Sequence, residues 1–212
     1  MEGVVLARWQ YKASEDSAVD IVPDGCRDFI VSCNSKTGVS CFVSALDDTV
    51  RTVEINGGSE LFGVRLMPGV RLDETALLGY AKEKNMDALL GGEINLFCRA
   101  VPSVQETLDY LQSEITSIGP AARQLGVSQR TMQREVLRHT GKSPYFWFSL
   151  ARARRCARAL FKADNLADTA AEYGFSDQAH MTREMRRWFG VTPSRIKSDR
   201  ALFSALCQPG YG

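Results

Sequence analysis

Two stretches of this chain repeat each other, so whatever fold it adopts has to contain the same small unit twice. Residues 121–144 read AARQLGVSQRTMQREVLRHTGKSP, and residues 169–193 read TAAEYGFSDQAHMTREMRRWFGVTP. Gly126 and Ser128 match Gly174 and Ser176 at an offset of 48, whereas Arg134, Gly141 and Pro144 match Arg183, Gly190 and Pro193 at 49; the second copy therefore holds one extra residue. Each copy offers a short helix with a buried Ala, a Gly that permits a tight turn, an apolar anchor, and a Ser placed to N-cap a longer helix. That is helix-turn-helix grammar.

The longer helix of each copy is amphipathic. In the first, Met132 and Val136 share one face, while Arg130, Arg134 and Arg138 lie opposite with Gln133 beside them and Thr131 next in sequence. In the second, Met181, Met185 and Trp188 face inward. Ala179, Arg183, Arg186 and Arg187 face outward, with Gln178 at the start and His180 and Thr182 at the margins. Arg can bond a guanine edge bidentately and Gln an adenine edge, so such a face at the start of a second helix suits the DNA major groove. A single basic amphipathic helix is better explained as a solvated face. Recurrence of the whole pattern favours DNA.

Charge supports this once the chain is divided. The net charge is +1, but residues up to Gln112 hold 10 basic and 17 acidic side chains, a net −7, and those from Ser113 onward hold 16 basic and 8 acidic, a net +8. A basic half beside an acidic one fits a nucleic-acid-binding module joined to something else, or a site for an acidic partner. The overall 44% apolar and 24% charged content is that of a globular protein, and 212 residues suffice for two domains. The six cysteines, at 26, 33, 41, 98, 156 and 207, show no metal-type spacing and read as reduced, buried thiols. The N-terminus does not read as a secretion signal, and no apolar run approaches the roughly 20 residues of a membrane span, so a cytoplasmic location is expected.

The first seventy residues read as β structure. Runs at 28–33, 40–45, 49–55 and 61–67 are separated by Asp24-Gly25, Asn56-Gly57-Gly58 and Pro68-Gly69, and Phe62, Val64 and Leu66 alternate onto one face. From about Asp73 the spacing turns helical. Pro102-Ser103 suits a helix start, with Val104, Leu108, Leu111 and Ile115 following at helical intervals.

In residues 102–198, the MQR run followed by GKSP, and then LADTAAEYGFSDQAHMTREMRRWFGVTP, resemble the AraC/XylS family of bacterial transcription regulators. The resemblance implies seven helices, with one from Tyr145 to about Lys162 linking two units that read successive major-groove turns of an asymmetric site of roughly 20 base pairs. It carries base reading onto Arg130, Gln133 and Arg134, and onto Gln178, Ala179, His180 and Arg183. Ala179 and Leu137 depart from the family's pattern, and Ala179 offers at most a thymine-methyl contact. Thr131, Arg138, Thr182 and Arg187 complete the expected DNA-binding set. Double-stranded DNA is the implied partner. RNA polymerase, a small-molecule effector and a second copy of the chain as a homodimer stay open.

IVPDGCRDFIV (21–31) and ELFGVRLMPGV (60–70) resemble the cupin-like β domain that some of these regulators carry, which implies effector sensing or dimerisation. The fold class expected is therefore α+β: a cupin-like β domain over residues 1–100 with trailing helices, an all-α DNA-binding domain over 101–200 with units at about 118–141 and 166–190, and a tail over 201–212. The effector-binding residues are not assigned. Enzymatic cupins usually hold a metal with several histidines. The two here, His139 and His180, lie in the helical half, so neither metal nor cofactor is expected. Cys26 reads as a structural thiol or a redox sensor, and Arg27, Arg65 and Arg71 as strand-edge charges or an anion clamp. A regulator is expected rather than an enzyme. The alternatives are a DNA-repair protein passing an alkyl group to a cysteine, for which no activated Cys cluster is apparent, and a regulator whose β domain only pairs subunits.

Overall fold

The computed structural model describes residues 3–83, 86–113 and 117–212, so Ile115 lies outside the described residues. A β region precedes a helical one. Strands β1 (Val5–Lys12), β2 (Ser17–Ile21), β3 (Asp28–Asn34), β4 (Gly38–Val43), β5 (Arg51–Ile55) and β6 (Ser59–Leu66) are followed by the short β7 (Arg71–Leu72) and later β8 (Cys98–Arg99). They form an antiparallel sheet of order β1-β6-β3-β4, a β2-β5 ribbon and a β7-β8 pair. The expected runs coincide with β3 to β6. The sequence reading had not located β1 and β2, although VLARWQYK alternates in the same way.

Period-two alternation explains the first core. Phe29, Val31, Val64 and Leu66 leave one face of the sheet and meet Leu77 and Ala81 of α1 (Glu74–Glu83), Leu89 of α2 (Met86–Gly91) and Ile94 of a short 3-10 helix.

The helical region contains α3 (Pro102–Gln112), α4 (Ile118–Gln124), α5 (Gln129–Thr140), α6 (Pro144–Leu160), α7 (Leu166–Glu172), α8 (Gln178–Phe189), α9 (Pro193–Ser198) and α10 (Arg200–Leu206). The expected linking helix is α6, which starts at a Pro with Ser143 as its cap. Almost every face of α6 is covered, because helices of both units pack around it; Trp147, Leu150, Ala153, Cys156, Ala157 and Leu160 are all wholly buried.

Residues 201–212, read above as a tail, are built into the fold. Beyond α10, Tyr211 is 2% exposed, stands edge-on to Trp147 at 5.0 Å, donates its backbone N–H to the Asp24 carbonyl (2.8 Å) and its hydroxyl to the Leu108 carbonyl (2.7 Å). A short run ending Gln-Pro-Gly-Tyr-Gly carries no periodicity, which is why the sequence hid this.

The PDGC turn, α6 and the C-terminal segment meet in one polar junction. Arg65 forms a two-bonded pair with Asp28 (3.0 Å each), reaches Asp24 (3.0 Å), and donates to the Pro209 carbonyl (2.9 Å). Wholly buried Arg154 donates to the carbonyls of Pro23 (3.1 Å), Leu206 (3.0 Å) and Gln208 (3.3 Å). Arg65 is thus neither a strand-edge charge nor an anion clamp; its carboxylates are already in place.

Candidate nucleic-acid interface

Each repeat folds as a short helix, a glycine turn and a longer helix: α4 and α5 in the first unit, α7 and α8 in the second. The turns need left-handed residues, supplied by Gly126 at φ 65° and Gly174 at φ 70°. Behind each turn an Ala is buried, Ala121 and Ala122 in α4 and Ala170 in α7, letting the two helices approach closely.

The N-caps differ from the expected pair. Ser128 caps α5, accepting from the Thr131 N–H (3.1 Å), but α8 is capped by Asp177, which accepts from the His180 N–H (2.6 Å), and not by Ser176. The extra residue of the second copy sits in the turn itself. It pushes Ser176 one place out of the capping position, and an Asp follows to take over. That backbone bond is the main cause holding the Asp177 carboxyl below its ordinary value, and a charged cap at a helix N-terminus is favoured by the macrodipole as well.

From these caps the exposed polar faces follow. In α5, Arg130, Gln133 and Arg134 are exposed. No side-chain hydrogen bond or ion pair engages Arg130 or Gln133 among the described residues, and Arg134 has only a loose 3.7 Å approach to Glu135. Arg138 is held differently, by a 2.8 Å ion pair to Glu135 and a contact to His139. Thr131 is half-buried, with its hydroxyl 2.9 Å from that of Ser128, so it belongs to the cap.

In α8, Gln178, Ala179 and Arg183 are exposed along the corresponding face. With the 49-residue offset, Ala179 takes the place of Arg130 and Thr182 that of Gln133. The Thr182 hydroxyl donates to the Gln178 carbonyl (2.8 Å), leaving it acceptor capacity only, which a phosphate cannot use. His180 folds back onto the turn: its ring stands edge-on to Phe175, and Nδ1 accepts from the Ser176 N–H (3.3 Å). In the neutral ring the hydrogen then sits on Nε2, which is left as a donor. Arg187 lies over Trp188 at 5.0 Å and 3.9 Å from Glu184.

Both units hang on α6. Trp147 donates to the Thr140 hydroxyl (3.0 Å) at the end of α5, and Arg152 donates to the Gly174 carbonyl (3.1 Å) in the second turn while covering Phe175 at 4.5 Å. The sequence reading passed over Arg152 and Arg154. The signal available was the run RARR inside an otherwise apolar helix, where charge has to be matched from elsewhere in the fold.

Where the two regions meet, a cavity of about 240 Å³ is lined by Arg27, Leu46, Leu66 and Arg71 of the β region and by His139, Thr140 and Trp147. Arg27 is already paired with Glu74. Cys26 and Cys156 are buried, Cys33, Cys41 and Cys98 half-buried and Cys207 exposed, so buried thiols describe two of the six and partly buried ones three more. Burial pushes the Cys26 thiol far up. Arg65 and Arg154 stand near it, but Asp24 and Asp28 offset them, so the conditions for a reactive thiolate are lacking.

Among the described residues no helix is long and apolar enough to cross a membrane. Residues 121–199 match the family described as "Helix-turn-helix domain". The HTH-type transcriptional activator RhaS of Pectobacterium atrosepticum is 32% identical over 98 residues, covering 44% of this chain and 35% of the relative. The HTH-type transcriptional regulator ExsA of Pseudomonas aeruginosa is 34% identical over 80 residues, 37% of this chain and 29% of the relative. The chain thus spans about a third of the length of these curated relatives. The solved structure of ToxT from Vibrio cholerae O395 overlays 95% of this chain and 98% of its own, at 9% identity and a TM-score of 0.47. The similarity to that helix-turn-helix family thus covers both repeats and the α6 helix between them.

Proposed function

We propose that the protein is a sequence-specific DNA-binding transcription regulator, acting in the cytoplasm, whose residues 101–200 bind double-stranded DNA and whose residues 1–100 control that binding. The observation that carries the reading is the pair of capped helices α5 and α8, each presenting an exposed polar face and both anchored on α6. In this reading Arg130, Gln133 and Arg134 contact base edges from the first unit, and Gln178, Ala179, His180 and Arg183 from the second. Arg138 and Arg187, already steadied by neighbouring acids, serve phosphates, and Thr131 and Thr182 support the helix starts from which reading occurs. The second unit has fewer donors and relies more on phosphates and DNA shape.

Arg134→Ala is expected to weaken binding to the selected site by about 1–3 kcal/mol and to relax choice at one base pair. Gel-shift titration against specific and random DNA checks this. Equal loss on both would reduce Arg134 to a phosphate contact.

The cavity between the β region and the end of α5 favours control by a small molecule, because anything bound there touches the first reading helix directly. A thermal-shift screen of metabolites, repeated on Arg71→Ala, tests it: a hit raises the melting temperature of the native protein and less so that of the variant. Absence of any hit would favour the reading in which the β region only pairs subunits.

A further inference from the structure

The loop between β4 and β5 leaves the β region and lies over the seam between the two helix-turn-helix units. Its Leu46 and Val50 pack on the helical core and not on the sheet. Asp48 forms a 2.9 Å ion pair with Lys142, the first residue past Gly141, which closes α5 in a left-handed conformation. Val50 lies against Gly190, the residue that closes α8 in the same way: a Cβ there would stand 3.0 Å from Val50 Cγ1. Gly141 and Gly190 are equivalent positions of the repeat, so one loop touches the same point on both reading helices.

Beneath the loop, Phe146 of α6 stands edge-on to Trp188 of α8 at 5.4 Å and lies under the Lys142 ammonium at 4.9 Å. Asp48 is held below the usual carboxylate range by its hydrogen bond and charge interaction with Lys142, and Arg187 of the second unit adds to it. The loop is itself steadied by the Arg51–Asp47 pair at 3.2 Å.

Both units pack along α6 in one core, and the loop adds a second bridge between them, from Lys142 just past α5 to Gly190 at the end of α8. The separation matters because one added base pair moves a half-site by about 3.4 Å and roughly 34° around the duplex. We propose, resting on the DNA-binding reading above, that Asp48 and Val50 are positioning residues that fix the rotation between the two reading helices and so determine which half-site spacing the protein accepts. They touch neither base nor phosphate and act through Lys142 and Gly190. Because Leu46 of the same loop lines the cavity, the β region has a direct way to alter spacing preference.

The test uses the full chain and three duplexes built on the site it selects, with the native spacer and with one base pair added or removed. Gel-shift titrations compare wild type, Asp48→Lys, Val50→Gly and the charge-exchanged pair Asp48→Lys with Lys142→Asp, each first checked for native circular dichroism; Val50→Ala replaces Val50→Gly should that variant not fold. Wild type is expected to favour the native spacer by about tenfold or more and the single variants by less than about threefold, as a looser pair of helices follows either spacing. The exchanged pair restores the preference. A general loss of stability would instead lower affinity for all three duplexes alike. Single variants that discriminate as wild type does, or that lose affinity equally on all three, overturn the proposal. A wild type that selects no sequence overturns the DNA-binding reading, and the positioning role falls with it.

Discussion

Arg154→Ala is expected to destabilise the protein by about 3–5 kcal/mol, since removing a buried charged partner leaves its acceptors with neither protein nor water to bond. The Pro23, Leu206 and Gln208 carbonyls all lose their donor, and these come from the β region, from the last residue of α10 and from the segment after it. Burying the guanidinium is itself costly, since desolvation pulls Arg154 down to about 10 even with Asp24 nearby. Its three hydrogen bonds have to outweigh that cost for the native arrangement to persist. Arg154→Met, which fills the space without donating, separates the two contributions and should recover only the packing part. Denaturant unfolding of both variants measures the effect. A loss below about 1 kcal/mol for Arg154→Ala would mean that the carbonyls find water, and that the junction is wetter than described.

Trp147→Ala is expected to cost a similar amount, about 3–5 kcal/mol, or roughly 10 °C in melting temperature for a chain of this size. Its indole is wholly buried and stands edge-on to Phe146 and Tyr211; its Cζ3 lies 3.1 Å from where a Cβ on Gly25 would be. The indole also donates to the Thr140 hydroxyl at the end of α5. The substitution therefore acts on three things: the junction with the β region, the core, and the seating of α5. Trp147→Phe keeps most of the packing and loses the bond to Thr140, so it should cost nearer 1 kcal/mol. Calorimetry checks both values. A Trp147→Ala midpoint within a degree or two of wild type would contradict the packing described.

The helical half was legible because its rules are local. A Gly before a Ser, Met residues four apart and a Pro after a Gly specify turn, face and helix start within a few residues, and the repeat doubles each signal. Even there one local detail escaped: Ser176 and Asp177 can both cap a helix, and the choice depends on where the inserted residue is absorbed. The β region was legible in its strands and not in their pairing. Alternation marks β3 and β6 but does not say that β6 lies between β1 and β3. The junction was not legible at all. The Arg154 bond to Pro23 spans 131 residues, and that of Tyr211 to Leu108 spans 103, so no short-range pattern carries them. The same holds for Asp48 and Lys142, which lie 94 residues apart and which only the fold brings together.

Selection of binding sites from a random duplex library by the full chain tests the central claim most directly. An asymmetric motif is predicted, with two half-sites about one helical turn apart, 10–10.5 base pairs, and with more sequence information in the half read by Arg130, Gln133 and Arg134 than in the half read through Ala179. Enrichment of a single half-site, or of no sequence at all, would contradict it.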